Sequence, residues 1–306
     1  MLLEHDTAGD PVTGLKWTHR TPEKIAQRLS KLGFPISANT VARLLHNMNF
    51  TLRFNHKELA TTSSPDRDQQ FEYISALRTR FVRQQLPMIS VDTKKRELVG
   101  NFKNPGAKWD RSPARVNDHD FRSDSLGVAI PYGIYDLLAN RGSVFVGVSH
   151  DTPAFAAHCI AGWWQREGAL RYRRARRLLI LADSGGSNGH RCRAWKTELQ
   201  LQLCNRFELA VTVAHYPTGT SKWNPIEHRL FSEISKNWAA EPLTSYQKIL
   251  NLIRATHTKT GLAVNAYLDR AHYPTDTAPA LEHIRQLRLN PHDTLPSWNY
   301  TITPNL

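Results

Sequence analysis

The chain has 306 residues, with 40 Lys and Arg against 27 Asp and Glu and a formal net charge of +13, a balance that points to a polyanionic partner and to nucleic acid first. No run approaches the ~18 apolar residues of a membrane span, and residues 1–10 lack the basic and apolar regions of a secretory signal, so the expectation is a cytoplasmic, nucleoid-associated protein with no membrane partner. Three cysteines, Cys159, Cys192 and Cys204, are too few and odd in number for a disulfide framework and read as reduced thiols.

The length suits a large domain behind a small one. In the small one, residues 1–54, the stretch 21–48 predicts two short helices. Thr21 is a good N-cap, Pro22 fits the first helical position, Glu23 complements the helix dipole, and Ile25, Leu29 and Leu32 fall on one face before Gly33 stops the turn. Ser37 caps a second helix whose apolar stripe is Val41, Leu44, Leu45 and Met48. That leaves Asn39, Thr40 and Arg43, with His46 and Asn47, facing outward. The pattern fits a helix-turn-helix that reads DNA, and equally a two-helix corner of any globular protein. Residues 55–85 read as a polar linker ending in a helix that carries Arg78, Arg80 and Arg83.

From there to residue 275 short apolar runs rich in β-branched residues recur at 88–91, 97–102, 144–148, 178–182 and 209–213. Helical patterns fall at 152–164, 191–203 and 225–238. The order β-β-β-α-β-α-β-α predicts a mixed five-stranded α/β sheet. Its first two strands form a hairpin across residues 93–96, and its later strands are added in parallel through helices. A basic stretch at about 103–142, rich in Pro and Asp, is an insertion facing substrate. Residues 276–306 form a tail with one short helical pattern and no assigned chemistry.

Two carboxylates stand at carboxyl ends of strands, Asp92 in MISVD and Asp183 in LLILAD. Ligands gather at that edge of an open α/β sheet, so the two converge on one site if their strands are neighbours. Either alone would also serve as a turn former or helix cap. The third acid is Glu227, in the first turn of a helix begun by Pro225, where a dipole-favoured carboxylate is the plainer reading; Glu233 lies on another face. Three carboxylates suit a hard cation, Mg²⁺ or Mn²⁺, and can hold the two ions of an in-line phosphoryl displacement. Lys94, Lys95 and Arg96 beside the first acid, Lys222 near the third, and the run Arg171, Arg173, Arg174, Arg176, Arg177 before the fourth strand offer charge for phosphates. Trp163, Trp164, Trp195 and Trp223 divide between base stacking and core packing, with packing the simpler role. His190, Cys192, Cys204 and His215 flank the second acid but lack a CxxC knuckle, which argues against zinc. No GxxxxGK[ST] occurs, so nothing points to a nucleoside-triphosphate site.

Taken together, SVDTKKRE, LADSGGSNG and NPIE resemble the three-acid signature of DDE transposases, the RNase H-like superfamily that includes retroviral integrases, and NPIE resembles the third-acid motif of the Tc1/mariner-like group. Residues 9–18, 36–45, 92–104 and 215–231 are similar to the bacterial Rhodopirellula-type DDE transposases, and the likeness runs over about residues 9–270. It implies an insertion-sequence transposase with an RNase H-like catalytic domain over 86–275 and a recognition domain for terminal inverted repeats. It further implies Asp92, Asp183 and Glu227 as catalytic metal ligands for two Mg²⁺ or Mn²⁺ ions. Double-stranded DNA, both transposon end and target, would be the partner, bound by a homo-oligomer. Members of that family usually extend further upstream, so the expectation is an N-terminally truncated chain. A non-catalytic DNA-binding remnant and another RNase H-like nuclease, such as a resolvase, stay open as alternatives.

Overall fold

The computed structural model describes residues 21–50, 65–275 and 278–305, together with two short strands, β1 (Ala8–Gly9) and β2 (Lys16–Trp17), which pair antiparallel. The chain forms two compact units, Met1–Ala60 and Thr61–Leu306.

In the first unit α1 (Pro22–Lys31) starts where the Thr21 hydroxyl accepts the Lys24 N–H, and α2 (Ala38–Asn47) where the Ser37 hydroxyl accepts the Thr40 N–H at 3.1 Å. Gly33, at φ +89°, provides the left-handed turn that ends α1. Ile25, Ala26 and Val41 form the buried contact, flanked by Leu29, Ile36 and Leu45. The expected stripe on α2 is narrower than its sequence implies. Leu44 is 47% and Met48 58% exposed, because two helices of ten residues bury only the Val41 and Leu45 side.

The second unit opens with α3 (Arg67–Arg83). This part of the expected linker is packed rather than free: Ile74, Leu77 and Phe81 lie against Met88, Leu179, Leu181 and Tyr216. The remainder of that expected segment, up to residue 64, lies outside the described residues.

A nine-stranded mixed sheet follows. Its strands are β3 (Met88–Thr93), β4 (Glu97–Val99), β5 (Gly127–Asp136), β6 (Arg141–Gly147), β7 (Arg177–Ala182), β8 (Ala210–His215), β9 (Ala263–Asp269), β10 (Leu289–Pro291) and β11 (Asn299–Ile302). They lie in the order β10-β11-β8-β7-β3-β5-β6-β9, with β4 on β5. β5 runs antiparallel to β3 and β6 antiparallel to β5, whereas β7 and β8 run parallel to β3. The mixed α/β sheet expected of an RNase H-like fold is therefore present, with three corrections to its parts.

First, 97–102 does not form a hairpin with 88–91. Only Glu97–Val99 is a strand, and it pairs with β5. Second, the expected insertion at 103–142 contains the ten-residue β5, central to the sheet. Pro131 and Gly133 inside GVAIPYGIYD disguise it, since both weaken a strand read from sequence. Third, the tail beyond 276 is part of the sheet. It supplies α9 (Leu281–Arg285), β10 and β11, and β11 pairs with β8.

Helices cover both faces because the strands alternate their apolar side chains. Leu178, Ile180 and Ala182 face a core with α4 (Pro153–Trp163) and α6 (Arg193–Leu199), while Leu179 and Leu181 face α3. After α4 a π-helical turn, Trp164–Gly168, leads into the short α5 (Ala169–Arg171). Another π-helical turn, Glu227–Phe231, continues into α7 (Ser232–Asn237), and this segment with α8 (Tyr246–Arg254) packs on β5, β6 and β9. Trp163, Trp164 and Trp195 are core residues, whereas Trp223 is 54% exposed. No helix among the described residues is long and apolar enough to cross a membrane.

Candidate active site

β3 and β7 are neighbours, parallel, and in register at Val91 and Ala182. Asp92, still within β3, and Asp183, the first residue past β7, therefore lie side by side. Beyond Asp183 the chain turns through Ser184 to Gly189, where Gly186 takes φ +66° and Tyr132 on β5 donates its hydroxyl to Asn188 Oδ1 at 2.9 Å. Together these strand ends border an open cleft of about 380 Å³ lined by Asp92, Asp151, Asp183, Asn188 and Gly219, among others.

Glu227 reaches the same region from a helix. That helix starts at Pro225 after a 3₁₀ turn, Ser221–Trp223, and lies directly on β5. The close approach requires glycine at Gly133, the register partner of Asp92: a Cβ there would stand 2.7 Å from Phe231 Cζ and 2.8 Å from Ile226 Cδ1. Glu233 points elsewhere and pairs with Lys236 at 2.6 Å.

The junction between these elements is a buried polar network. Asn224, fully buried, donates from Nδ2 to Asp183 Oδ1 at 3.1 Å and to the Val91 carbonyl at 3.3 Å. Its Oδ1 accepts the Ser90 hydroxyl, whose oxygen accepts the Ile226 N–H at 3.0 Å. On the far side His215 holds the main chain of the second acid, donating from Nδ1 to the Asp183 carbonyl at 2.9 Å. Burial holds His215 down at about 3, so it is neutral.

The carboxyls repel and are short of water. Asp92 is pushed up to about 8, first by burial, then by Asp183, with Glu227 and Asp151 adding and the Thr93 N–H at 2.7 Å opposing. Burial chiefly lifts Asp183 to about 6, against the pull of Asn224. Glu227 is raised by burial, offset by His228, Lys94 and a hydrogen bond with Asp92. Among the described residues no three His, Cys, Asp or Glu side chains are gathered about one point to hold an ion. The donor set still fits a divalent hard cation: it consists of carboxylate oxygens whose mutual repulsion such a charge would remove. Zinc does not fit His190, Cys192, Cys204 and His215. Both His215 nitrogens are engaged, Nε2 with the Tyr300 hydroxyl at 3.2 Å, and Cys204 is buried against the Ile302 carbonyl.

The basic residues separate into groups. Lys95 and Arg96 are exposed just beyond Asp92, and Lys222 is exposed with its ammonium 5.7 Å from the Trp223 ring centroid. Lys94 turns inward, 3.2 Å from Glu97 and 4.6 Å from the Trp238 ring centroid, so its charge faces the carboxyls rather than open solvent. Arg173 and Arg174 are exposed but precede β7, at the end opposite Asp183. Six residues at ~3.3 Å each put the start of β7 about 20 Å from that acid along the strand. Asn39 and Arg43 are exposed on α2, whereas the Thr40 hydroxyl bonds Ser37 Oγ at 3.0 Å.

Sequence reading missed Asp151, which lines the cleft and accepts the Thr93 hydroxyl at 3.1 Å. Its signal was the one used for the other two, an aspartate shortly after an apolar strand. Ser90 and Asn224 gave no separable signal.

No curated protein matches the chain. Solved structures of Mos1 transposase resemble it at low identity. A paired-end complex with left transposon end has 15% identity and a TM-score of 0.45, over 75% of this chain and 64% of that one. A pre-cleavage Mos1 transpososome has 15% identity and a TM-score of 0.44, and a Mos1 mariner paired-end complex with Mn 15% and 0.43, both over the same shares. The chain spans under two thirds of the length of those transposase chains. The family model described as Rhodopirellula transposase DDE domain matches residues 1–304, and the chain belongs to that family.

Proposed function

We propose that the protein is a DNA transposase that hydrolyses phosphodiester bonds at transposon ends and transfers the freed 3′ ends to target DNA, with Asp92, Asp183 and Glu227 as ligands for two Mg²⁺ or Mn²⁺ ions. The observation that carries this reading is the side-by-side placement of Asp92 and Asp183 at the carboxyl ends of parallel neighbouring strands, with Glu227 brought onto the first of them by a helix seated over Gly133. When bound, a pair of divalent ions supplies Lewis acidity to the phosphate and a lowered pKa to an attacking water or 3′-hydroxyl. The chain itself supplies the oxygen donors, a cleft beside them, and main-chain and amide contacts that fix Asp183.

Lys95, Arg96 and Lys222 are placed to hold backbone phosphates near the carboxyls, with Lys94 tuning Glu227. Arg173 and Arg174 would meet DNA about 20 Å away or further, at least six base pairs at ~3.4 Å per step. Asn39, Thr40 and Arg43 on α2 are the reading residues of a helix-turn-helix for inverted-repeat ends. Action on paired ends calls for a homo-oligomer on DNA, in the cytoplasm at the nucleoid.

Nicking of supercoiled plasmid by the purified protein with Mn²⁺, Mg²⁺ or EDTA, alongside Asp183→Ala, tests the reading. Metal-dependent nicking lost in the variant is the expected result. No nicking by a folded protein that still binds DNA would overturn it and leave a DNA-binding role alone.

A further inference from the structure

We propose that Asn224 is a positioning residue: its side-chain amide aims the Asp183 carboxylate and, through Ser90, locks that acid, the strand of Asp92 and the helix of Glu227 into one unit. The inference rests on the carboxylates being metal ligands.

Asn224 stands at the head of the helix that carries Glu227, where its carbonyl accepts the Glu227 N–H at 3.1 Å. An asparagine at such a position ordinarily turns its side-chain oxygen back onto an N–H of its own helix. Here it does not. The N–H that needs a cap, that of Ile226, goes instead to the hydroxyl of Ser90, 136 residues earlier on β3. Relieved of capping, the amide is free to face the sheet. Its orientation follows from its partners, since the Val91 carbonyl can only accept, so Nδ2 must face it. The second Nδ2 hydrogen then reaches Asp183 Oδ1, and Oδ1 of the amide takes the Ser90 hydroxyl.

Every side-chain donor of Asn224 is therefore used, at a residue with no exposed surface. The partners come from β3, the end of β7 and the head of the Glu227 helix, the elements that deliver the three acids. A buried amide satisfied on all sides has one orientation, because any rotation leaves polar groups unpaired in a low-dielectric interior. One oxygen of Asp183 is thus held by the amide, at a residue that lines the cleft. Groups that hold a metal-binding carboxylate in this way typically change metal affinity by about 10–100-fold when removed.

The test is Mn²⁺ binding by titration calorimetry on the full chain, wild type against Asn224→Ser and Ser90→Ala, with thermal unfolding of each. Asn224→Ser leaves the Ser90 cap on the Ile226 N–H in place and puts a small polar group at the helix head, but removes the donors to Asp183 and Val91. It is expected to weaken Mn²⁺ by at least about 10-fold at temperatures where the protein is folded. Ser90→Ala keeps the donors but frees the amide, and is expected to weaken binding less. A purely structural role would lower the unfolding temperature and leave the affinity of the folded protein unchanged; wild-type affinity in folded Asn224→Ser overturns the proposal. If Asn224→Ser does not fold, unchanged affinity in Ser90→Ala overturns it. Failure of the wild type to bind Mn²⁺ removes the metal reading itself, and this inference with it.

Discussion

Asp92→Asn should make the metal-free protein more stable at pH 8 while abolishing its chemistry. Burial and the neighbouring Asp183 hold the Asp92 carboxyl at about 8 against an ordinary 3.8. A carboxyl whose pKa is raised by folding contributes its full stability below the unfolded value and loses it as pH climbs through the folded one. Between those limits each pH unit costs about 1.36 kcal/mol, so ionisation destabilises the fold by roughly 5 kcal/mol at pH 8 and roughly 2 kcal/mol at pH 5. Asparagine carries none of that penalty. It can still accept from the Thr93 N–H, but burying its amide costs about 1–3 kcal/mol. The variant should then gain about 2–4 kcal/mol at pH 8, and about 4–16 °C in unfolding temperature for a unit of this size. At pH 5 it should gain about nothing.

Circular dichroism melts in EDTA at the two pH values measure this. The difference between them, about 3–4 kcal/mol, does not depend on the cost of the amide. A variant whose stability relative to wild type is the same at pH 8 and pH 5 would refute the argument that Asp92 is held under electrostatic load.

The same load predicts that metal binding expels a proton. Mn²⁺ titrations in buffers of differing ionisation enthalpy should give release of about 0.9 proton from Asp92 at pH 7 and about 0.1 at pH 9, and pH-independent release would contradict it. Gly133→Ala should cost about 1–3 kcal/mol by overpacking against Phe231 and Ile226 and should depress plasmid nicking far more than that stability loss, because it lifts Glu227 off the sheet; wild-type nicking would show that the helix has slack. Joint replacement of Arg173 and Arg174 by Ala should leave Mn²⁺ affinity intact. For long duplexes it should flatten the dependence of log affinity on log salt by about 0.9 for each phosphate that is no longer neutralised, and an unchanged slope would remove those residues from the DNA path.

The acids were legible for a physical reason. An apolar run ending in Asp marks a buried strand that delivers a carboxylate to the edge where ligands collect, and Asp92 and Asp183 both satisfy it. Other features were hidden by rules that hold on average. Pro131 and Gly133 read as breakers, yet the first sits where its carbonyl serves the Lys94 N–H and the second exists to admit a helix. Arg173 and Arg174 are close to Asp183 in sequence and far from it in space, because the strand between them carries the chain from one edge of the sheet to the other. Lys94 adjoins Asp92, but Glu97 and the Trp238 face fold its side chain inward. Pairings such as Ser90 with Asn224 span more than a hundred residues, and no local pattern encodes them.

The C-terminal segment shows how far the support of the site extends beyond the residues that mark it. β11 pairs with β8, placing Tyr300 opposite Val213 and its hydroxyl 3.2 Å from His215 Nε2, while His215 Nδ1 holds the Asp183 carbonyl. Asn299, beside it, exchanges two amide hydrogen bonds with Gln70 of α3, and Gln70 also donates to the His215 carbonyl at 2.8 Å. These groups are all buried, so each depends on the others for its partner. Without β11, β8 would become an exposed edge, and Gln70 and His215 would each be left short of a partner in the interior. A neutral His215 then has no reason to stay buried, and the main chain at Asp183 loses its anchor. A segment without a chemical group of its own thus determines how firmly the second acid is held.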